Sequence, residues 1–319
     1  MSGLVLALPS KGRLKEQVEA WLADCGLPLE SDGGERGYRG RLRGLDSLAV
    51  RLMSAGDIAE ALQAGEAHLG VTGEDLLREG GEDLEARVLL LRPLGFGRAD
   101  LVVAAPQSWL DVETMADVDA VAHELLARTG RRLRVATKYG AQTRSYFARK
   151  GVSDYRVVES AGATEGAPAA GLAELVVDIT TTGATLEANH LRVLTDGVIL
   201  RSQAQLAASL RAAWSAEALS AATQLLTMVE GRARAVETAT LVWPADQDVA
   251  ARAALADLAQ PSAWRAAGLL IHTRDLVSAS SALRRAGVGP VTATRPEYVF
   301  SSEGSSAARL AERVGLGAA

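Results

Sequence analysis

The sequence predicts an α/β protein with two or three domains. Along most of its 319 residues, short apolar runs alternate with helical patterns, and several runs end in small or charged residues just before a helix begins. Such alternation favours parallel strands joined by right-handed crossover helices. Ligands of such sheets bind at the carboxyl ends of the strands, so the turns at those ends are the candidate sites.

The composition is that of an ordinary globular protein. Hydrophobic residues make up 48% and charged residues 23% of the chain, and the formal net charge is −5, which argues against a broad nucleic-acid-binding surface. The only cysteine is Cys25, which excludes an intramolecular disulfide and a cysteine-based metal site. Because we find neither a signal peptide nor an apolar stretch long enough for a membrane span, we expect a cytoplasmic protein without membrane partners.

The first apolar run, Leu4 to Leu8, predicts a buried strand, and a helix follows from about Leu14 to Asp24. Between them lies a basic turn, Lys11, Gly12 and Arg13, which fits either an anion site or a solvated loop. Further strands are predicted at Leu48–Leu52, Val88–Leu94, Ala99–Ala105, Arg134–Thr137, Tyr155–Glu159 and Gly197–Ser202, and further helices at Asp57–Ala64, Trp109–Leu126 and Thr143–Lys150.

A separate unit is predicted at the C-terminal end, after an Ala-rich helix at Arg211–Arg234. Its predicted elements are a strand at Thr238–Trp243, a helix at Asp246–Leu258, a strand at Gly268–Thr273, a helix at Asp275–Ala286 and a strand at Tyr298–Ser301. This content is consistent with a small ferredoxin-like α+β domain.

A turn rich in threonine and glycine connects the apolar strand Leu175 to Val177 with a helix that begins near Leu186. Threonine hydroxyls and the N–H groups at a helix start attract a phosphate, and glycine allows a close approach. Asp178, at the strand end, would accept hydrogen bonds from sugar hydroxyls. The turn therefore fits a phosphate-bearing sugar, although by itself it fits the start of a surface helix equally well.

The wider spacing resembles the signature of the ATP phosphoribosyltransferase family. It runs from Glu165 through Gly171 and Asp178 to T-G-A-T-L at 182–186. Enzymes of this family join N1 of the adenine of ATP to C1 of phosphoribosyl pyrophosphate (PRPP) and release pyrophosphate, the first step of histidine biosynthesis. Other similar stretches are K-G-R at 11–13, G-V-T-G-E-D at 70–75, R-V-A-T-K-Y at 134–139 and D-G-V-I-L-R-S at 196–202.

The resemblance implies a two-lobed core similar to periplasmic binding proteins. Lobe I would comprise residues 1–105 and 190–210 and lobe II residues 106–189, followed by a helical linker at 211–234. The domain at 235–319, ferredoxin-like or ACT-like, would bind histidine as a feedback inhibitor, as in longer family members. An oligomerisation module is the alternative for this domain.

The resemblance also implies the site residues. The catalytic residues would be Lys11, Arg13 and Arg36, with Arg39 as a rival to Arg36. PRPP would be bound by Glu165, Asp178, Thr181, Thr182, Gly183, Ala184 and Thr185, and ATP by Lys11, Gly73, Asp75 and Lys138. The sequence departs from the family pattern at Ser54, where many members have an arginine, and at Ala59, where they have a proline.

The resemblance further implies Mg²⁺ carried by the substrate phosphates, without a protein metal site. It implies a homo-oligomer, from dimer to hexamer, and leaves open a regulatory subunit resembling histidyl-tRNA synthetase. Two other functions stay open: a non-catalytic two-lobed ligand-binding protein, and a phosphoribosyltransferase for another base. The latter class usually has two adjacent acids before its phosphate turn, whereas Asp178 stands alone.

Overall fold

The structure is a computed structural model that describes residues 3–31, 39–81, 83–160, 162–258, 264–301 and 305–316. It contains three β-sheets and helices packed against them, which confirms the predicted α/β class. Contacts divide the described residues into one compact unit within 1–19, 31–41 and 48–215, and a second within 20–30, 42–47 and from 216 onwards. The predicted lobe and linker boundaries stay predictions.

The first sheet has seven strands. The elements of this part of the chain are β1 (Leu4–Pro9), α1 (Gly12–Asp24), β2 (Leu29–Ser31), β3 (Arg39–Leu42), β4 (Leu48–Met53), α2 (Ala55–Ala64), β5 (Leu69–Gly73), α3 (Glu74–Glu79), α4 (Leu84–Arg87) and β6 (Val88–Pro93). The strand β1 is parallel to its neighbours β4 and β5, so the carboxyl ends of these three strands share one edge of the sheet.

The second sheet has five strands, in the order β11-β7-β10-β8-β9. Its part of the chain contains β7 (Ala99–Pro106), α5 (Met115–Thr129), β8 (Leu133–Thr137), α6 (Gly140–Lys150), β9 (Tyr155–Glu159), β10 (Leu175–Thr180), α7 (Ala184–Ala188), β11 (Leu191–Ser202) and β12 (Ala204–Ser209), the last of which joins the first sheet. Because β8, β9 and β10 are parallel, their carboxyl ends also share one edge.

The two faces of the second sheet carry different cores. Leu101 and Val103 belong to the larger core, which includes residues of α5 and α6, whereas Val102 and Ala104 pack with Leu186 of α7. This is the alternation expected of a strand buried on both faces. The helix α7 therefore packs on one face of the second sheet, and the helices α5 and α6 pack on the opposite face.

Both large sheets are mixed, whereas the sequence led us to expect parallel sheets. The strand β12 runs antiparallel to β5 and β6, and β7 runs antiparallel to β10 and β11. The reason is that the chain passes between the sheets at β6–β7 and at β11–β12 without a crossover helix, and the latter pair is separated only by Gln203. Antiparallel neighbours need no crossover helix, so alternation along the chain did not reveal these strands.

The third sheet lies in the second unit. Its part of the chain contains α8 (Ala216–Glu237), β13 (Thr238–Val242), α9 (Asp248–Leu255), β14 (Trp264–Arg265), β15 (Gly268–His272), α10 (Leu276–Arg285), β16 (Thr292–Thr294) and α11 (Ser306–Arg313). The strand order is β14-β15-β13-β16 and the paired neighbours are antiparallel. The β-α-β-β-α-β succession is that of a ferredoxin-like domain.

The strand predicted at Tyr298–Ser301 is wrong, because these residues form no strand and β16 takes the edge position beside β13. The rings of Tyr298 and Phe300 stack with their centroids 5.6 Å apart. They lie against Gly26 and Gly231, where a Cβ atom would collide with them. Phe300 thus covers α8 and Tyr298 covers the turn after α1, and neither residue extends a sheet. In the described ranges, no helix has the length and apolar character needed to span a bilayer.

Candidate active site

Two predicted site segments lie at one edge of the first sheet, together with Ser54, where the sequence departs from the family pattern. The basic turn Lys11 to Arg13 follows β1, Ser54 follows β4, and Gly73 ends β5. Lys11 and Arg13 are exposed, and within the described ranges their side chains form no hydrogen bond or ion pair. Ser54 caps α2 by accepting a hydrogen bond from the backbone N–H of Asp57 at 3.2 Å. At this position, where many family members have an arginine, the chain therefore uses a helix cap.

Three predicted ligand-binding residues influence one another at the edge of the second sheet. Asp178 is half-buried near the end of β10, Lys138 is exposed directly after β8, and Glu165 is half-buried in a short turn. Burial raises the pKa of the Asp178 carboxyl above its ordinary value, the nearby charge of Lys138 lowers it, and that of Glu165 raises it. The charges of Lys138 and Glu165 therefore both act on the Asp178 carboxyl at this edge.

The threonine-rich turn at 180–185 is held by its own side chains. The N–H of Gly183 donates to Oγ1 of Thr180 at 2.8 Å, and that of Ala184 donates to Oγ1 of Thr182 at 3.4 Å. Gly183 has a φ of +80°, the left-handed conformation that glycine adopts without strain. Thr181, Thr182 and Thr185 are exposed. A phosphate bound at the two N–H groups would replace these internal hydrogen bonds.

Gly97 and Arg98 connect the basic turn with the threonine-rich turn. The hydroxyl of Thr181 donates to the backbone carbonyl of Arg98 at 3.3 Å. A Cβ atom on Gly97 would lie 3.2 Å from Cδ1 of Leu14, the residue that follows the basic turn. The Gly97–Arg98 dipeptide thus lies next to the threonine-rich turn and to the residue that follows the basic turn.

Asp75, a predicted ATP contact, is buried and surrounded by protein donors. One carboxylate oxygen accepts from the hydroxyl of Tyr139 at 2.7 Å and the other from the hydroxyl of Ser202 at 2.8 Å. Gln142 donates to the backbone carbonyl of Asp75 at 2.8 Å. A Cβ atom on Gly73 would collide with the Asp75 carboxylate, so this glycine makes room for the side chain.

Tyr139 and Glu79 complete the connection between the two sheets. Burial, followed by the charge of Asp75, raises the pKa of the Tyr139 hydroxyl far above its ordinary value, so this group stays a donor. The Glu79 carboxylate accepts from the N–H groups of Ala141 and Gln142, at 2.8 and 3.2 Å, and so caps α6 from α3. Sequence reasoning missed these roles, because only tertiary contacts pair residues more than sixty positions apart.

The loop arginines are placed only in part. Arg36 lies outside the described residues, and its rival Arg39 is exposed at the start of β3, opposite Arg51 of β4. For metal binding, the described residues contain no group of three or more His, Cys, Asp or Glu side chains that could hold an ion.

Comparison with known proteins identifies the family. A sequence model of the ATP phosphoribosyltransferase family matches residues 54–231. The ATP phosphoribosyltransferase of Caulobacter vibrioides is 65% identical over 310 residues, which cover 97% of each chain. That of Bradyrhizobium sp. (strain ORS 278) is 49% identical, over 97% of this chain and 98% of the relative.

A solved structure agrees with the sequence comparisons. A chain of the ATP phosphoribosyl transferase (HisG:HisZ) complex from Thermotoga maritima superposes with a TM-score of 0.53 at 28% identity, covering 71% of this chain and 98% of that chain. The resemblance noted in the sequence is therefore confirmed. The chain belongs to the ATP phosphoribosyltransferase family, a family of pentosyl-transferring enzymes.

Proposed function

We propose that the chain joins N1 of the adenine of ATP to C1 of the ribose of PRPP and releases pyrophosphate, the first step of histidine biosynthesis. The observation that carries this proposal is the 65% identity to an ATP phosphoribosyltransferase over 97% of the chain. The C1–oxygen bond breaks and its electron pair leaves with pyrophosphate, while the lone pair of N1 forms the new bond. Because C1 becomes cation-like, catalysis rests on positioning and electrostatic stabilisation.

The second sheet would bind the ribose 5′-phosphate part of PRPP. In this proposal Asp178 and Glu165 accept hydrogen bonds from the ribose hydroxyls, and the turn at 181–185 binds the 5′-phosphate. Two observations support this part of the proposal. Asp178 and the turn lie at the same end of β10, and the charge of Glu165 acts on the Asp178 carboxyl. The threonine hydroxyls are exposed and available to phosphate oxygens.

The basic residues of the first sheet would bind the leaving group and ATP. Lys11 and Arg13 are unpaired within the described ranges, so no ion pair has to break before pyrophosphate binds. Arg36 is proposed as a third cation on the resemblance alone. Lys11, Gly73 and Lys138 would line the ATP site. Asp75 would act there by holding Tyr139, next to Lys138, since both of its oxygens already have donors.

A divalent metal is the cofactor normally required in such families, and we propose Mg²⁺. The described residues offer no cluster of ligands for a resident ion, so the ion would enter on the phosphates of PRPP, with water completing its shell. When bound, it would offset the negative charge of the departing pyrophosphate. We also propose that the enzyme works in the cytoplasm, where its nucleotide substrate is present.

The C-terminal domain would bind histidine as a feedback inhibitor. The support is its ferredoxin-like succession of elements, the type that longer family members use for regulation. An assembly role is the alternative, favoured by the exposure of Val249 and Val277 on α9 and α10, at 84% and 77%. We propose that the chain is active without a second subunit, although its structural neighbour was solved as a HisG:HisZ complex.

The test is the release of pyrophosphate from ATP and PRPP by the purified chain, with and without histidine. We expect turnover that depends on both substrates and on Mg²⁺ and that falls on adding histidine. Replacing ATP by free purine or pyrimidine bases should abolish it, which separates this function from salvage of another base. PRPP binding without turnover would contradict the proposal and favour a non-catalytic binding protein.

The same assay also tests whether histidine inhibits the chain and whether the chain is active without a second subunit. Full activity in saturating histidine would leave the assembly role as the function of the C-terminal domain. Turnover that begins only when a subunit resembling histidyl-tRNA synthetase is added would contradict activity of the chain alone.

A further inference from the structure

A cavity of about 320 Å³ lies beside the threonine-rich turn and is lined by two arginines, Arg98 and Arg201. Arg98 directly precedes β7, and Arg201 lies near the end of β11. Both are exposed, and in the part of the chain that the structure describes neither guanidinium group forms a hydrogen bond or an ion pair. Thr180 and Thr181 line the same cavity.

The strand register places Arg201 on the face that carries the proposed ribose site. Thr180 of β10 is paired with Asp100 of β7, and Asp100 is paired with Arg201 of β11. Directly paired residues of neighbouring strands point to the same face, and so do residues two apart on one strand. Thr180, Arg201 and Asp178 therefore share the face on which α7 lies.

Arg98 lines the cavity next to the threonine-rich turn. Its carbonyl accepts a hydrogen bond from the Thr181 hydroxyl, and a Cβ atom on the preceding Gly97 would lie 3.2 Å from Cδ1 of Leu14, the residue that follows the basic turn. The charged residues that line the cavity are two arginines and one aspartate, Asp100, so the charge of the lining is net positive. Unpaired arginines of this kind bind phosphate oxygens with two parallel hydrogen bonds.

We propose that Arg98 and Arg201 bind the pyrophosphate group of PRPP, and that they add two cations to those of the basic turn. This inference rests on the proposed function, because it extends the site that would hold the 5′-phosphate and ribose. The shared chemistry is a polyphosphate, which either PRPP or ATP could supply. The position of both arginines next to the ribose-phosphate turn selects PRPP.

The test compares Arg98→Met and Arg201→Met with Arg156→Met, a matched control. Arg156 is exposed on the edge strand β9 of the same sheet, so its loss changes the net charge equally, away from the cavity. We expect each cavity variant to raise the Michaelis constant for PRPP by about tenfold, because charge-assisted hydrogen bonds are the strong ones. Binding of inorganic pyrophosphate, measured by calorimetry, should weaken by about the same factor. The Michaelis constant for ATP should change less than twofold, and Arg201→Lys should recover part of the pyrophosphate affinity.

The possible failures are distinguishable. Pyrophosphate binding and a PRPP Michaelis constant equal to those of the control would overturn the inference while leaving the proposed function intact. A change confined to the Michaelis constant for ATP would also overturn it, because the arginines would then bind the triphosphate. An absence of turnover in the unmodified chain, both alone and with a subunit resembling histidyl-tRNA synthetase added, would instead refute the proposed function. Circular dichroism and thermal unfolding of each variant exclude a loss of fold as the cause.

Discussion

The carboxylate of Asp75 is held by hydroxyl groups from two distant parts of the chain. Tyr139 lies between β8 of the second sheet and the helix α6. Ser202 lies at the end of β11, where the chain passes back to the first sheet. Because the group is buried, each donor offsets part of its desolvation cost. The residue thus connects the edges of both sheets at the point where Lys138 enters the proposed ATP site.

At the residue scale, the Tyr139→Phe substitution should test this connection. It leaves a buried carboxylate with one hydroxyl donor fewer, and we expect a loss of about 1–3 kcal/mol in the free energy of unfolding. Urea unfolding measures this loss, with Tyr155→Phe as the control. The Tyr155 hydroxyl forms no hydrogen bond within the described ranges, so the control should cost much less. Equal losses in the two variants would show that the bond to Asp75 contributes nothing specific.

Asp178 leads to a prediction about pH. Burial raises its pKa in the folded protein above the ordinary value of 3.8, so the folded state binds more protons than the unfolded state just above that pH. The free energy of unfolding then falls as pH rises from the ordinary pKa through the raised one, and the penalty persists above it. Asp178→Asn removes the group that causes this penalty.

We therefore expect Asp178→Asn to be more stable than the unmodified chain at neutral pH and to bind PRPP more weakly. Its stability advantage should grow as pH rises above the ordinary value of 3.8 and then stay constant, as measured by urea unfolding across a pH series. The control Asp111→Asn removes an exposed carboxylate from the same unit. A destabilised Asp178→Asn, or an advantage that does not vary with pH, would contradict the prediction.

At the scale of elements, helix α2 packs directly on strand β5. Gly70 lies in the strand, and a Cβ atom there would be 2.8 Å from Cγ2 of Ile58 and 3.1 Å from Cδ1 of Leu62. Ile58 and Leu62 are both buried, so neither side chain can move aside without disturbing the core. Gly70, which matches a family motif, is thus explained by helix–strand packing.

The Gly70→Ala substitution should consequently destabilise the protein by about 1–3 kcal/mol through overpacking. Gly56→Ala, in the first turn of the same helix, should have the opposite sign and stabilise by up to about 1 kcal/mol, since alanine favours the helix and its Cβ meets only Oγ of Ser54 at 3.9 Å. Chemical unfolding of both variants measures the contrast. In an Ile58→Ala background the cost of Gly70→Ala should shrink; an undiminished cost would argue against the packing explanation.

At the scale of the whole molecule, we predict self-association, as the family resemblance implies. Most soluble oligomers are symmetric assemblies of one chain. We expect light scattering to give a mass that is a multiple of 33.4 kDa, between a dimer and a hexamer, over a range of concentrations. A single species of 33.4 kDa at all concentrations would contradict this.

Local features of the site could be predicted from the sequence, and long-range partners could not. The turn at 180–185 follows from its own strand, glycine and threonines, and the structure places it at the end of β10 with Gly183 at positive φ. The environment of Asp75 depends on Tyr139 and Ser202, which lie 64 and 127 positions away. Nothing in the local pattern around Asp75 indicates that its carboxylate is occupied.

By itself, the sequence determined the family, the α/β class and the strand-to-helix turns, because these depend on residue types at short spacings along one chain. The tertiary structure decided that β12 and β7 each run antiparallel to their neighbours, and that Phe300 covers a helix instead of extending a sheet. It also decided that Thr180, Asp100 and Arg201 form one row across three strands. Which strands pair in a sheet depends on which segments, distant in sequence, bury their apolar side chains against each other in the folded chain. That choice belongs to the folded chain as a whole, and it is the choice that brings Arg98 and Arg201 to the threonine-rich turn.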